Sequence, residues 1–262
     1  MRPSAPSVSD DPASIGVSVI IPAFNEEQRI APTLLAVERH MSASAPSHEI
    51  LVVDDGSTDG TVELVRRLAL ERPTLRVLAT SPNRGKGHAV RVGMLAARGR
   101  IRVMIDADGS ISPTELGALV EPLLAGQAVV AIGSRYADGA RVATAQPGWR
   151  RAWSRLVNRV VQRSLVPGVR DTQCGFKAFT ADAAEAIFGR CRIDGWAFDL
   201  EALAIAHRLG LVTREVAIAW QDDPRSRVRP LHDFARVVRE WLIIRSNLRH
   251  GVYGALASAS RP

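Results

Sequence analysis

The chain of 262 residues is 46% hydrophobic and 23% charged, ordinary values for a soluble globular protein with material for a substantial core. Its 34 basic against 27 acidic residues leave a formal charge of +7, which suits an anionic partner: a nucleotide, a lipid phosphate, a membrane surface or nucleic acid. The two cysteines, Cys174 and Cys191, are too few for a zinc cluster or a disulfide framework, and no apolar run reaches the ~20 residues of a membrane-spanning helix.

Residues 1–15 are rich in Ser, Pro, Ala and Asp, lack the apolar stretch of a signal peptide, and read as a disordered leader. Residues 17–21 are a β-branched run stopped by Pro22, the pattern of a buried strand. Asn25 is placed to cap a helix that reaches about Met41, with Glu26 and Glu27 in its first turn. Strands are expected over 50–53, 75–78, 101–105 and 128–132, with helices over 61–70, from 83 to about 98, and from Pro113 onward. Strict alternation of strand and helix predicts an α/β fold, a mostly parallel sheet covered on both faces.

Beyond Gly133 the pattern loosens. An amphipathic, Arg-laden helix is expected over 149–165, a short strand over 176–179 and a helix over 198–209, followed by an alternating strand over 212–220 and a basic helix over 232–248. With no repeat and no long linker, the chain reads as one domain over 16–250 in two halves, 16–133 and 134–250, with a flexible tail over 251–262.

Two acidic turns carry the chemistry. One apolar run ends in Asp54-Asp55-Gly56-Ser57-Thr58-Asp59-Gly60, another in Asp106-Ala107-Asp108-Gly109. In an open α/β sheet, ligands collect at the carboxyl ends of the strands, so these carboxylates face a binding crevice. The first turn offers acceptors for a nucleotide base or ribose, or else simple turn and capping chemistry. The second offers two hard oxygen donors to a divalent cation, which in turn holds phosphate oxygens. The pattern points to metal-assisted chemistry on a nucleotide diphosphate. Asn83-Arg84-Gly85-Lys86-Gly87-His88 reads as a phosphate cradle at a helix start or as a plain loop-to-helix turn, and it lacks Walker A spacing. The arginines are not interleaved with aromatics, so a nucleic-acid stacking platform is not expected.

These motifs resemble the family 2 glycosyltransferases: residues 17–27 (VSVIIPAFNEE), 52–61 (VVDDGSTDGT), 83–87 (NRGKG) and 106–109 (DADG). Residues 133–136 (GSRY), 171–179 (DTQCGFKAF) and 196–201 (WAFDLE) are similar to the polyprenyl-phosphate branch, the dolichyl-phosphate β-glucosyltransferases and their mannose-synthase relatives. The likeness spans about 17–250. Two features depart from it: the amino-terminal membrane anchor of the eukaryotic enzymes has no counterpart here, and their Gly-Ser-Lys appears as Arg225-Ser226-Arg227. A guanidinium there contacts phosphate with a different geometry.

The resemblance implies a GT-A fold, with a nucleotide-sugar half (16–133), an acceptor half (134–250) and an inverting transfer of a hexose to a polyprenyl phosphate. It favours UDP-glucose as donor, keeps GDP-mannose open, and leaves a soluble or polysaccharide acceptor as the alternative. It places Pro22, Ala23, Asn25, Glu26, Asp54 or Asp55, Lys86, Asp106 and Ala107 around the nucleotide, and Mg²⁺ or Mn²⁺ on Asp106 and Asp108. Arg135, Arg150 and Arg227 would converge on the acceptor phosphate, with Asp171 beside the reacting carbon as base or orienting group. Asp171, Arg135 and Asp108 are thus the expected catalytic set. Trp196 and Phe198 read as core packing, Asp199 as a partner for a neighbouring loop, and Cys174 as a packed residue. The 232–248 helix, with its arginines, either packs on the core or lies in an anionic interface. A peripheral position on the cytoplasmic face of the plasma membrane follows.

Overall fold

The computed structural model describes residues 15–45, 47–142, 161, 163–220 and 230–254. The leader, most of the helix expected over 149–165, and both Arg150 and Arg227 lie outside the described residues.

The β-branched run forms β1 (Val17–Ala23), buried along its whole length because strands lie on both sides of it. β2 (His48–Asp55) pairs with it in parallel, Val19 opposite Ile50 and Ala23 opposite Asp54. β3 (Leu75–Thr80) adds outside β2, and β4 (Ile101–Met104) flanks β1 on the other side. Strands buried on both faces need no alternation, which is why they appear as continuous apolar runs. Helices α1 (Ile30–Ser44), α2 (Thr61–Leu70), α3 (Lys86–Ala96) and α4 (Leu116–Leu124) connect these strands and lead to β5 (Val130–Ser134).

The remaining elements are β6 (Arg141–Val142), β7 (Lys177–Thr180), α5 (Ala181–Phe188), α6 (Phe198–Arg208), β8 (Thr213–Ala217), β9 (Ala219–Trp220) and α7 (Pro230–Arg249). The main sheet has seven strands in the order β3-β2-β1-β4-β7-β5-β8. β7 is the one reversed strand, antiparallel to both β4 and β5. That reversal positions the site. Lys177, the first residue of β7, pairs with Met104 and Ile132, so residues 171–176 arrive at the carboxyl edge of β4 and β5. The segment 171–176 is thereby delivered to the edge where Asp106 emerges.

Two expectations are corrected. Asn25 does not cap α1, which starts at Ile30; Asn25 takes a left-handed φ of 55° and its Oδ1 accepts a hydrogen bond from Thr58 N at 2.8 Å. A left-handed Asn is tolerated where its short side chain bonds locally, and here that bond ties the β1 loop to the β2 loop. The strand expected over 212–220 breaks at Ile218: β8 joins the main sheet beside β5, while β9 pairs with β6 in a two-stranded ribbon.

Candidate functional site

The carboxyl ends of β1 and β2 form one wall. Pro22 and Ala23 are buried at the end of β1, opposite Val53 and Asp54, while Phe24 projects with 41% exposure. Asn25 N donates to Ser57 Oγ and Glu26 N to Thr61 Oγ1, both at 2.8 Å. The Glu26 carboxylate is held by Arg29 at 2.6 Å. The two neighbouring aspartates have separate fates. Asp55 is consumed by the chain: it accepts from Arg84 N, from Gly85 N at 2.6 Å and lies 3.2 Å from His88 Nδ1. Asp54 Oδ2 accepts from Gly56 N and Ser57 N, whereas its Oδ1 is buried without a hydrogen-bond partner among the described residues. A buried acceptor without a donor costs about 1–3 kcal/mol, so it marks a place where a ligand donor fits.

The glycines of the 83–88 segment serve the chain itself. A Cβ on Gly87 would lie 2.6 Å from Ile193 O, and one on Gly85, at φ 122°, would strike Asp194 O. Their bare faces are covered by residues 193–195, so this turn seats that segment against α3. Asp194 locks the seat, pairing with Arg84 at 2.8 Å and Arg91 at 2.6 Å. Burial pushes the Asp194 carboxyl up and the two arginines more than reverse it, leaving it below the usual range.

Lys86, at the first turn of α3, reaches into the crevice. Its Nζ lies 2.6 Å from Asp106 Oδ1, with the Trp196 and Phe198 rings 5.6 and 5.9 Å away. Burial works against its charge, but Asp106, Asp199 and Asp108 outweigh that and raise its pKa. Asp108 accepts from Ser110 N at 3.0 Å and from the Ser110 hydroxyl. Both aspartates are partly exposed, and Ala107 between them is buried with its carbonyl accepting from Thr33 Oγ1 at 2.9 Å. Among the described residues no group of three His, Cys, Asp or Glu side chains forms a ready cation cage.

Arg135, just past β5, meets Asp171. The guanidinium donates to both carboxylate oxygens at 2.8 Å, and Arg135 N adds a third bond at 3.0 Å. Asp171 is 0% exposed. Burial alone would raise its pKa; the paired guanidinium overrides burial and lowers it. Glu215 of β8 accepts from Arg170 N and Asp171 N, fixing the backbone there. The Arg135 guanidinium also stacks 5.6 Å from the Trp220 ring. Four residues further on, Gly175 presses on Asp106: a Cβ there would come within 2.9 Å of Asp106 Cγ.

Several residues that hold the site leave no strong mark in the sequence. Lys177, 1% exposed, pairs with Asp199 at 2.5 Å and donates to Cys174 O. Burial raises Asp199 despite the two lysines near it. Glu201, 0% exposed, accepts from Arg192 N, Ile193 N and Tyr253 Oη, and Glu240 of α7 accepts from Ala197 N at 2.8 Å. The spacing of Asp199 and Glu201 was the available signal for the first pair; nothing local marks Glu240. Phe198 is core, as expected, but Trp196 is 40% exposed, because its ring stands over the Lys86 ammonium at the crevice. The Cys174 thiol, pushed up to about 12 by burial and by Asp171, is a packed residue.

The structure thus gathers Lys86, Asp106, Asp108, Trp196 and Asp199 at one point, joined through residues 171–177 to Arg135. The family model for glycosyl transferase family 2 matches residues 18–188. The dolichyl-phosphate β-glucosyltransferase of Drosophila melanogaster is 38% identical over 252 residues, covering 91% of this chain and 77% of that one. The human enzyme of that name is 32% identical, covering 96% and 81%, and the Saccharomyces cerevisiae one 32%, covering 93% and 78%. Among solved structures, glucosyl-3-phosphoglycerate synthase of Mycobacterium tuberculosis with Mn²⁺, UDP and glucosyl-3-phosphoglycerate superposes with a TM-score of 0.65 at 22% identity, covering 93% of this chain and 84% of that one.

Proposed function

The chain belongs to glycosyl transferase family 2, and from that premise we propose that it transfers glucose from UDP-glucose to a polyprenyl phosphate, with inversion at the anomeric carbon. It is a glycosyltransferase with the GT-A fold. The dolichyl-phosphate names of its relatives support the lipid acceptor and the sugar. The observation that carries the reading is the seating of Gly175 against Asp106, which brings the acceptor-half segment 171–177 onto the carboxylate that faces the donor.

The roles follow from what each side chain has left to offer. Asp54, with its free buried oxygen, takes an N–H or O–H of the nucleoside; Asp55, with none free, shapes the loop. Pro22, Ala23, Asn25 and Glu26 form the wall beside it, and Lys86 faces the diphosphate. Asp106 and Asp108 are hard oxygen donors suited to Mg²⁺ or Mn²⁺, and two protein ligands leave room for phosphate oxygens. Such a cation would offset the negative charge that develops on the departing diphosphate. A phosphate monoester is anionic near neutral pH, so its oxygen attacks the anomeric carbon without a base. Asp171 has both oxygens bonded to Arg135 and is therefore a positioning residue, holding the guanidinium toward the acceptor phosphate. Arg150 and Arg227 are assigned to the same phosphate on sequence grounds.

No helix among the described residues is long and apolar enough to cross a membrane. On α7, Val238 and Leu242 are exposed beside exposed Arg239, while Ile244 and Glu240 face inward and Arg236 pairs with Glu240 at 3.4 Å. This face suits peripheral contact with an anionic leaflet, as on the cytoplasmic side of a plasma membrane.

The test is a transfer assay with purified protein, Mg²⁺ or Mn²⁺, polyprenyl phosphate and either labelled UDP-glucose or GDP-mannose. Label entering the organic phase from UDP-glucose is expected. Label from GDP-mannose alone replaces the donor, and turnover only with a soluble acceptor discards the lipid.

A further inference from the structure

Three carboxylates and two ammonium groups share the crevice floor: Asp106, Asp108 and Asp199 with Lys86 and Lys177. The two lysines are held differently. Lys177 is sealed between Asp199 Oδ1 and Cys174 O, both at 2.5 Å. The Lys86 ammonium lies 2.6 Å from Asp106 Oδ1 in an ion pair outside hydrogen-bond geometry, and its side chain keeps 20% exposure. The oxygen it occupies belongs to one of the two carboxylates that would hold the divalent cation. An ammonium and a divalent cation drawn to one carboxylate repel each other, so each weakens the other's hold on Asp106.

We propose that Lys86 is the resident counter-ion of Asp106 and yields the carboxylate to the cation only when a nucleotide diphosphate is present to receive the ammonium. The proposal rests on the reading of Asp106 and Asp108 as cation ligands. Charge balance favours it. The floor formally carries −1 with its two lysines, so a bare divalent cation would leave +1 beside a displaced ammonium. A diphosphate absorbs that excess. The Lys86 ammonium lies 5.6 Å from the exposed Trp196 ring, and the residue sits at the start of α3, where the helix end favours an anion. Cation and nucleotide would therefore bind cooperatively, and Lys86 would be a positioning residue that sets this coupling.

The experiment is a calorimetric titration of Mn²⁺ into the full chain, with and without UDP, for the wild type, K86M and K86R, each checked by thermal unfolding. The wild type should bind Mn²⁺ at least tenfold more tightly with UDP than without. K86M should bind nucleotide-free Mn²⁺ about tenfold more tightly than the wild type, since removing one adjacent charge is worth at least that factor. The gain from UDP should shrink accordingly. K86R keeps a cation beside Asp106 and should retain weak nucleotide-free binding, which keeps the test open if K86M does not fold. Nucleotide-free affinity unchanged or weaker in K86M, or raised in K86R, overturns the counter-ion role. Mn²⁺ bound by no form, even with UDP, overturns the cation-ligand reading itself and the proposal with it.

Discussion

Arg135 and Asp171 form a closed pair: two guanidinium–carboxylate bonds of 2.8 Å and a third from Arg135 N, around a carboxylate with no solvent exposure. Under the proposed function Asp171 aims Arg135, since each of its oxygens already accepts a guanidinium hydrogen bond. Removing one partner of a buried pair costs about 3–5 kcal/mol. D171N should therefore lower both stability and turnover, with the acceptor KM rising more than the donor KM. An unchanged acceptor KM in the folded variant would remove the positioning role.

The same pair sets an acid limit. Asp171 and Asp194 have folded pKa values lowered from their usual value near 3.8 by the arginines bonded to them. A lowered folded pKa gives stability that is complete above the unfolded value and is lost as pH falls toward the folded one. The contribution of these two carboxylates should be constant above about pH 5 and decline below about pH 4. Thermal unfolding across pH 2–7 reads this directly, and D171N should decline less steeply.

Asp54 and Asp55 are adjacent in sequence and opposite in use. D55N removes an acceptor from Arg84 N and Gly85 N and should cost about 1–3 kcal/mol of stability. D54N puts an amide where one oxygen is unpartnered. It should leave the melting temperature within a few degrees and weaken UDP binding about tenfold or more, a bond to a charged acceptor being worth about 1.5–3 kcal/mol. Calorimetry with UDP on both variants separates the two roles.

Much of this arrangement was legible before the structure. Short β-branched apolar runs ending in Asp-Gly turns mark buried strands, and their alternation with helical segments points to a parallel sheet whose edge carries the carboxylates. The reversal of β7 was not legible: four residues of strand carry no mark of direction, which comes from pairing with β4 and β5. Lys177 is a lysine inside a buried strand, and its partner Asp199 arrives from α6, so the pair exists only in three dimensions. Asn25 fits a helix cap in sequence, and its left-handed backbone follows from a bond to a loop over thirty residues away. Glu240 likewise reads as one more charge on a basic helix until Ala197 N is found against it.

Gly175 gives a test of the contact between segment 171–177 and Asp106. An added methyl would press on the Asp106 carboxylate, which would have to turn away from its present place. G175A should weaken Mn²⁺-dependent UDP binding at least tenfold, while overpacking at this partly exposed carboxylate costs about 1–3 kcal/mol of stability. D108N, at a partly exposed turn, should leave the fold intact and reduce turnover about a hundredfold or more, the several kcal/mol that a cation's charge stabilisation is worth. If D108N keeps ordinary turnover with ordinary metal dependence, Asp108 is not a cation ligand.

The α7 face gives the last prediction, and its two components separate by salt. Leu242 is 54% and Val238 36% exposed, one turn apart on the side of the helix away from Ile244 and Glu240, which pack inward. Arginines beside an anionic surface contribute about 1 kcal/mol each, a term that falls within a Debye length and weakens as salt rises. Apolar insertion follows buried area and persists. Flotation with phosphatidylglycerol vesicles should therefore show binding that drops with salt to a residual level. R239Q should reduce the salt-sensitive part, and V238S/L242S the residual binding that survives high salt. Both variants keep the inward residues and should retain transfer to a short, detergent-dispersed polyprenyl phosphate. Equal flotation with neutral and anionic vesicles, or no loss in either variant, would detach α7 from the membrane.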